Sequence, residues 1–156
     1  MRPPRFIIIA IACLFAVCAD STGVDAEDTS GDLAVIVHLD NPAKPNASTL
    51  EALFLRKERS WSNGEPVIVF NLGPENPNRI NFDHVVLAMS PDEVARYWLD
   101  QRIRGGGTAP REVGEPALVV KLVAKLKTAI AYVPARSDLR DVRVIARVRA
   151  GKLVSP

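Results

Sequence analysis

Residues 66–98 read PVIVFNLGPENPNRINFDHVVLAMSPDEVARYW. Pro66 to Leu72 (PVIVFNL) is a short apolar run rich in β-branched residues, which predicts a buried strand. Gly73-Pro74-Glu75-Asn76-Pro77 ends it with turn-forming residues. From Arg79 the period becomes helical, because Phe82, Val85, Val86 and Met89 fall at i, i+3, i+4 and i+7. Ser90-Pro91-Asp92-Glu93 then opens another helix as a capping box. The serine hydroxyl accepts a backbone N–H, Glu93 reaches back to the cap, and proline at the first helical position loses no bond. Val94, Tyr97 and Trp98 form the apolar stripe of that helix. A strand followed by a loop and two helices sets the fold class as α/β.

The flanking sequence extends the pattern. Leu33 to Leu39 (LAVIVHL) predicts a buried strand, broken by Asp40-Asn41-Pro42. Ser48-Thr49-Leu50-Glu51 reads as a second capping box, and the Asn46-Ala47-Ser48 sequon belongs to that capping site. A helix starting near Ser48 would bury Leu50, Leu53 and Phe54. Trp61-Ser62-Asn63-Gly64 is a turn. Gly105-Gly106-Gly107 lies in a basic loop. Pro116 starts a helix with Val119, Leu122, Val123 and Leu126 on one face, and Ala129 to Val133 is a short buried strand. Val142, Val144, Ala146 and Val148 alternate with Arg143, Ile145, Arg147 and Arg149, a pattern that predicts a half-exposed edge strand guarded by charge. The whole reads as a central mixed sheet flanked by helices, one domain over 33–156.

The N-terminus predicts export. Arg2 and Arg5 precede the apolar run Phe6 to Val17, which has the size of a signal-peptide core and is short of the roughly 20 apolar residues of a membrane span. Residues 1–19 form the signal peptide if cleavage follows Val17-Cys18-Ala19, and Val24-Asp25-Ala26 is an alternative. An uncleaved anchor is a third reading, and a lipid anchor at Cys18 a fourth. Each gives a periplasmic or exported location, with membrane contact only through this segment. Residues 20–32 (DSTGVDAEDTSGD) read as a flexible acidic linker. Cys13 and Cys18 are the two cysteines, so cleavage after Ala19 leaves none for a disulfide, a thiol nucleophile or a thiolate metal site.

Charge narrows the function. Without Arg2 and Arg5 the 20 basic residues become 18, equal to the 18 acids, and the neutral mature chain gives no reason to expect nucleic acid. Residues 20–100 hold 6 basic and 14 acidic residues, and residues 101–156 hold 12 and 4. Either the halves interleave and their fields cancel, or one face suits an anion. No catalytic constellation appears. His38 and His84 are far apart and lack metal-ligand spacing, and Asp92, Glu93, Glu112 and Glu115 suit helix starts. No nucleophile elbow or phosphate loop is present. The chain is therefore expected to be neither an enzyme nor a carrier of a metal or cofactor. Trp61, Tyr97 and Trp98 are expected to pack in the core. Arg102, Arg104 and Arg111 around the glycines form either an anion-binding nest or a solvated loop.

The run Leu53-Phe54-Leu55-Arg56-Lys57, closed by Trp61 and Asn63-Gly64, resembles the helix, basic turn and tryptophan of phosphate-type periplasmic substrate-binding proteins. Val67 to Leu72, the loop to Arg79 and Phe82, Met89-Ser90-Pro91, Tyr97-Trp98, Gly105-Gly106-Gly107, Pro110-Arg111, Val113-Gly114 and Ala129 to Val133 continue the likeness in order over 33–135. It is nearest to short, one-lobe members. The resemblance implies a single lobe of a type II periplasmic-binding-protein-like fold. It also implies a small oxyanion such as phosphate bound where the loop opens a helix, by Asn76, Asn78 and Arg79. Helix-terminal N–H groups and a guanidinium supply the chemistry. An arginine beside a helix start is expected at the surface, free to reach the ligand. The chain departs from the family at Glu75-Asn76-Pro77-Asn78, where the family carries Ser, Gly or Thr. Pro77 has no N–H, Glu75 repels an anion, and a single lobe leaves the site open. The resemblance thus implies weak oxyanion binding, alone or with a partner, or an envelope adaptor whose ligand site has decayed.

Overall fold

The computed structural model describes residues 31–156. The expected signal peptide, Cys18 and nearly all of the linker lie outside them. Six strands and four helices follow in the order β1 Leu33–His38, α1 Ala47–Phe54, β2 Ile68–Asn71, α2 Pro77–Phe82, α3 Pro91–Ile103, β3 Arg111–Glu112, α4 Pro116–Lys125, β4 Ala129–Pro134, β5 Val142–Arg149 and β6 Lys152–Val154. The strands form one sheet in the order β3-β2-β4-β1-β5-β6. β2 runs parallel to β3 and β4, while β1 is antiparallel to both β4 and β5. The sheet is therefore mixed, as the sequence predicts. Because β1 opposes β2, the loop after β1 and the loop after β2 emerge at opposite ends of the sheet.

The centre of the sheet is dry on both faces. Leu33 to Val37 and Ala129 to Pro134 are buried without interruption, so neither strand shows the alternation of a half-exposed strand. α4 packs along β4 and β1. Phe54 of α1 and Phe82 of α2 converge on Tyr132 of β4. The rings of Phe82 and Tyr132 stack at 3.8 Å, and Phe54 lies 4.6 Å from Phe82. Trp61 is buried too, its indole N–H donating to Thr128 O at 3.0 Å. Tyr97 and Trp98 meet edge-on at 5.0 Å and are half-buried, with the Tyr97 hydroxyl donating to Leu55 O at 2.8 Å.

Three expectations are corrected. The N-cap of α1 is Asn46, whose Oδ1 accepts from Thr49 N at 2.8 Å, so the helix starts before Ser48 and the serine is not its cap. The helix expected from Arg79 to Met89 changes form. α2 ends at Phe82, and Asp83–Leu87 make a wider π turn that stops at Ala88, in the left-handed region at φ 52°. That turn lets the neighbours Val86 and Leu87 both reach the core. Finally, β5 is not an edge. β6 pairs with its outer side, and its register against β1 shifts between Val35 and Ile36. The extra residue brings Ile145 and Ala146 in together and breaks the alternation. The Ser90 capping box is present as expected, with Glu93 accepting from Ser90 N at 2.7 Å.

Candidate functional site

β2 leads through Leu72 and Gly73 into the loop that opens α2, at the sheet end where β3 also finishes. Asn76 caps α2: its Oδ1 accepts from Asn78 N at 2.9 Å and from Asn78 Nδ2 at 3.1 Å. Its carbonyl accepts from Arg79 N at 2.9 Å and Ile80 N at 3.1 Å. Pro77, at the first helical position, has no N–H. Every backbone donor of the first turn of α2 is thus either missing or engaged within the loop. The remaining side-chain donors there are the amides of Asn76 and Asn78, both half-buried, and Asn78 Nδ2 is already engaged with Asn76 Oδ1.

The structure brings the three expected ligand residues together but turns Arg79 inward. Its side chain, expected at the surface, belongs to a residue only 5% exposed. Nε donates to Asp83 Oδ2 at 2.7 Å, Nη1 donates to Leu72 O at 2.8 Å, and Glu112 Oε1 stands 4.0 Å from Nη1. The physical reason is periodicity. Arg79, Phe82, Asp83 and Val86 share one helical face, and an aspartate one turn after an arginine gives it a partner there. Asp83 is 3% exposed, and its Oδ1 has no hydrogen-bond partner among the described residues. Burial raises its pKa above the usual carboxylate range, and the Arg79 guanidinium only partly offsets this.

A second buried polar pair adjoins this one. The Tyr132 hydroxyl donates to Asn71 Oδ1, and burial pushes the tyrosine's pKa up. Asp83, Asn71 and Tyr132 are not among the residues expected at the site, and Glu112, expected at a helix start, lies on β3 instead. The Arg79/Asp83 spacing was the signal for the first. Nothing local joins Asn71 to Tyr132, which are 61 residues apart. With two carboxylates beside its guanidinium, Arg79 has little net attraction left for an anion. The cluster is built to hold the β2–α2 corner against β3 and β4.

Around the glycines, Arg102, Arg104 and Arg111 are exposed, and Arg104 pairs with Asp100 at 2.9 Å. The residue that reaches the loop is Arg59, whose Nη2 donates to Gly106 O.

No family model and no curated protein matches the chain by sequence. Solved structures do. An ABC-type phosphate transport receptor from Vibrio cholerae superposes with a TM-score of 0.57 at 15% identity, covering 72% of this chain and 44% of the receptor. A protein described as a phosphate ABC transporter substrate-binding protein, from Clostridium perfringens and with phosphate bound, gives 0.58 at 18% identity, covering 72% and 43%. At such identities the likeness concerns the fold: a mixed α/β sheet flanked by helices, like part of these transport receptors. The chain spans less than half the length of the structures it matches.

Proposed function

We propose that the chain is an exported, non-enzymatic module with the fold of one substrate-binding-protein lobe, acting through an envelope partner rather than by holding a free oxyanion tightly. One observation carries this reading: the first turn of α2 has no free backbone donor, and Arg79 is committed to Asp83 and Leu72 O. An anion at the loop would meet two amide side chains and the exposed Glu75. The second reading is weak oxyanion binding by Asn76, Asn78 and Arg79, alone or completed by a partner. It is favoured by the fold likeness to a protein that carries phosphate.

Titration of inorganic phosphate, followed by the backbone and side-chain NMR signals of Asn78 and Arg79, separates the two. The adaptor reading expects no saturable movement below high millimolar phosphate, and no rise in melting temperature. A ligand held only by the native state must raise it by mass action. Saturable shifts at submillimolar phosphate that vanish in Asn78→Ala would overturn it in favour of the oxyanion site.

A further inference from the structure

A second group of guanidiniums lies along the outer edge of β2. α1 ends at Phe54, and Arg56 just beyond it takes φ 57°. That is the left-handed position after a helix end where glycine is usual and a side chain is strained. Its N–H donates to Leu53 O at 3.1 Å, and its Nη1 donates to Val67 O at 3.3 Å. Arg59 then reaches Gly106 O across the glycine loop. Gly107, at φ 119°, permits this approach, because a Cβ there would stand 3.0 Å from Arg59 Nη2. The chain returns along Thr108–Pro110 beside the start of β2. β3 pairs with β2 only at Phe70 and Asn71, so the two segments splay before that point. The splay leaves a groove of about 300 Å³, with Arg56, Thr108 and Arg111 as its polar lining and Ile68, Ala109 and Pro110 among its apolar lining.

Two features separate this groove from the α2 loop. Among the described residues, no carboxylate lies within 4.0 Å of Arg56, Arg59 or Arg111. Ile68 is 38% exposed there, an apolar surface beside unpaired positive charge. Guanidiniums and a hydroxyl suit a tetrahedral dianion, which accepts from several donors at once. The apolar wall suits a ligand with a body as well as a head. We infer that the groove binds a small organic phosphate, its dianionic head between Arg56 and Arg111 and its apolar body against Ile68 and Pro110.

The test uses the protein as recovered from an exporting host, with phenyl phosphate, inorganic phosphate and phenol as probes. The readout is the Nε–Hε signals of Arg56 and Arg111. Phenyl phosphate should move both saturably and bind roughly tenfold more tightly than inorganic phosphate, through the apolar surface it covers. Arg111→Gln and Arg56→Gly should each weaken it by roughly ten- to a hundredfold, the effect of losing a charge-assisted hydrogen bond. Arg111→Gln should leave the melting temperature unchanged, since that side chain is exposed. The inference fails if high-millimolar phenyl phosphate moves neither signal, or if chloride at equal ionic strength moves them as far. Inorganic phosphate or phenol binding as tightly as phenyl phosphate overturns it too, as do both variants keeping full affinity. These signals are separate from those of Asn78 and Arg79, so either proposal can fail without the other.

Discussion

Arg79 and Arg56 make an instructive pair. Both stand at helix ends beside loops that a reader of the sequence would search for anions. Arg79 has a carboxylate one turn along its own helix, a second across the corner on β3, and a carbonyl at the end of β2. It is sealed in the core and its charge is countered. Arg56 follows its helix in a strained conformation, touches a single carbonyl through its side chain, and opens on a groove. A neighbouring loop therefore does not decide whether a guanidinium serves the fold or a ligand. What decides is whether the same face of the chain carries a carboxylate within reach.

The sharpest way to break the comparison is Arg79→Ala. Removing one member of a buried ion pair leaves the other charge uncompensated and costs about 3–5 kcal/mol. The urea unfolding midpoint should fall accordingly. Replacing both partners by apolar residues, as in Arg79→Met with Asp83→Leu, should recover most of the loss, because neither charge is then stranded. An unchanged midpoint in Arg79→Ala would mean that the arginine is free after all and would return it to the ligand-binding reading.

Tyr132→Phe comes next. It leaves Asn71 Oδ1 buried without its donor, at a cost of about 1–3 kcal/mol. The ring stack on Phe82 should survive, so near-ultraviolet circular dichroism should keep its native shape while the midpoint drops. A loss below a few tenths of a kcal/mol would show that water reaches Asn71 and replaces the lost donor.

Much of this was legible beforehand where a signal is local. Leu33 to Val37 could only be a buried strand, and the Ser90 capping box needed four residues to declare itself. The α1 cap was misassigned because Asn46 and Ser48 both suit the role, and hydroxyl-to-glutamate spacing favoured the serine. β3 and β6 are two and three residues long, formed by pairing rather than propensity, so no pattern marks them. The β5 bulge depends on register against β1, which is a tertiary fact. At the candidate site Asn76, Asn78 and Arg79 are near neighbours in sequence and lie together at the start of α2, but that proximity does not reveal the inward face. An apolar stripe at Phe82, Val85, Val86 and Met89 does not show it either, because a buried Arg/Asp pair continues such a stripe as well as a leucine would. The groove lined by both Arg56 and Arg111 joins two separate segments and has no sequence signal.

A smaller effect tests the buried side through pH. Asp83 takes up a proton more readily in the folded protein than in the unfolded chain, where its pKa is near 3.8. Between that value and its raised one, folding binds a proton, so this contribution to stability is greatest at low pH and falls as pH rises through the window. Asp138, held down to about 2 by Arg140, and Glu93, lowered by its capping bonds, act in the opposite sense. Their contributions are lost as pH falls through their own lowered values. The signs are opposite, and because the Glu93 window reaches up to 4.5 it overlaps the start of the Asp83 window at 3.8, so the Asp83 contribution is read as a difference from a variant at that position. The difference in stability between wild type and Asp83→Asn, followed by urea unfolding across pH, should decline as pH rises above about 3.8 and level off once Asp83 is ionised in the folded protein. A difference that instead grows with pH would mean that Arg79 outweighs burial.

The smallest expected effect is that of Arg56→Gly on stability, and it sharpens the other half of the comparison. Glycine adopts φ 57° without strain, a gain of about 1 kcal/mol over a residue with a Cβ. Against this, glycine loosens the unfolded chain, a penalty of about 0.4–1 kcal/mol. The bond from Nη1 to Val67 O also disappears. At 3.3 Å it is long, and a typical hydrogen bond contributes only about 0.5–1.5 kcal/mol net. These terms leave a net change from about zero to a loss of about 1.5 kcal/mol, a fraction of the loss in Arg79→Ala. If Arg56→Gly unfolds the protein as readily as Arg79→Ala does, Arg56 is a structural clamp on β2 and the contrast between the two arginines disappears. If the midpoint holds, the strained arginine is not there for the fold, because glycine at that position would serve the fold equally well.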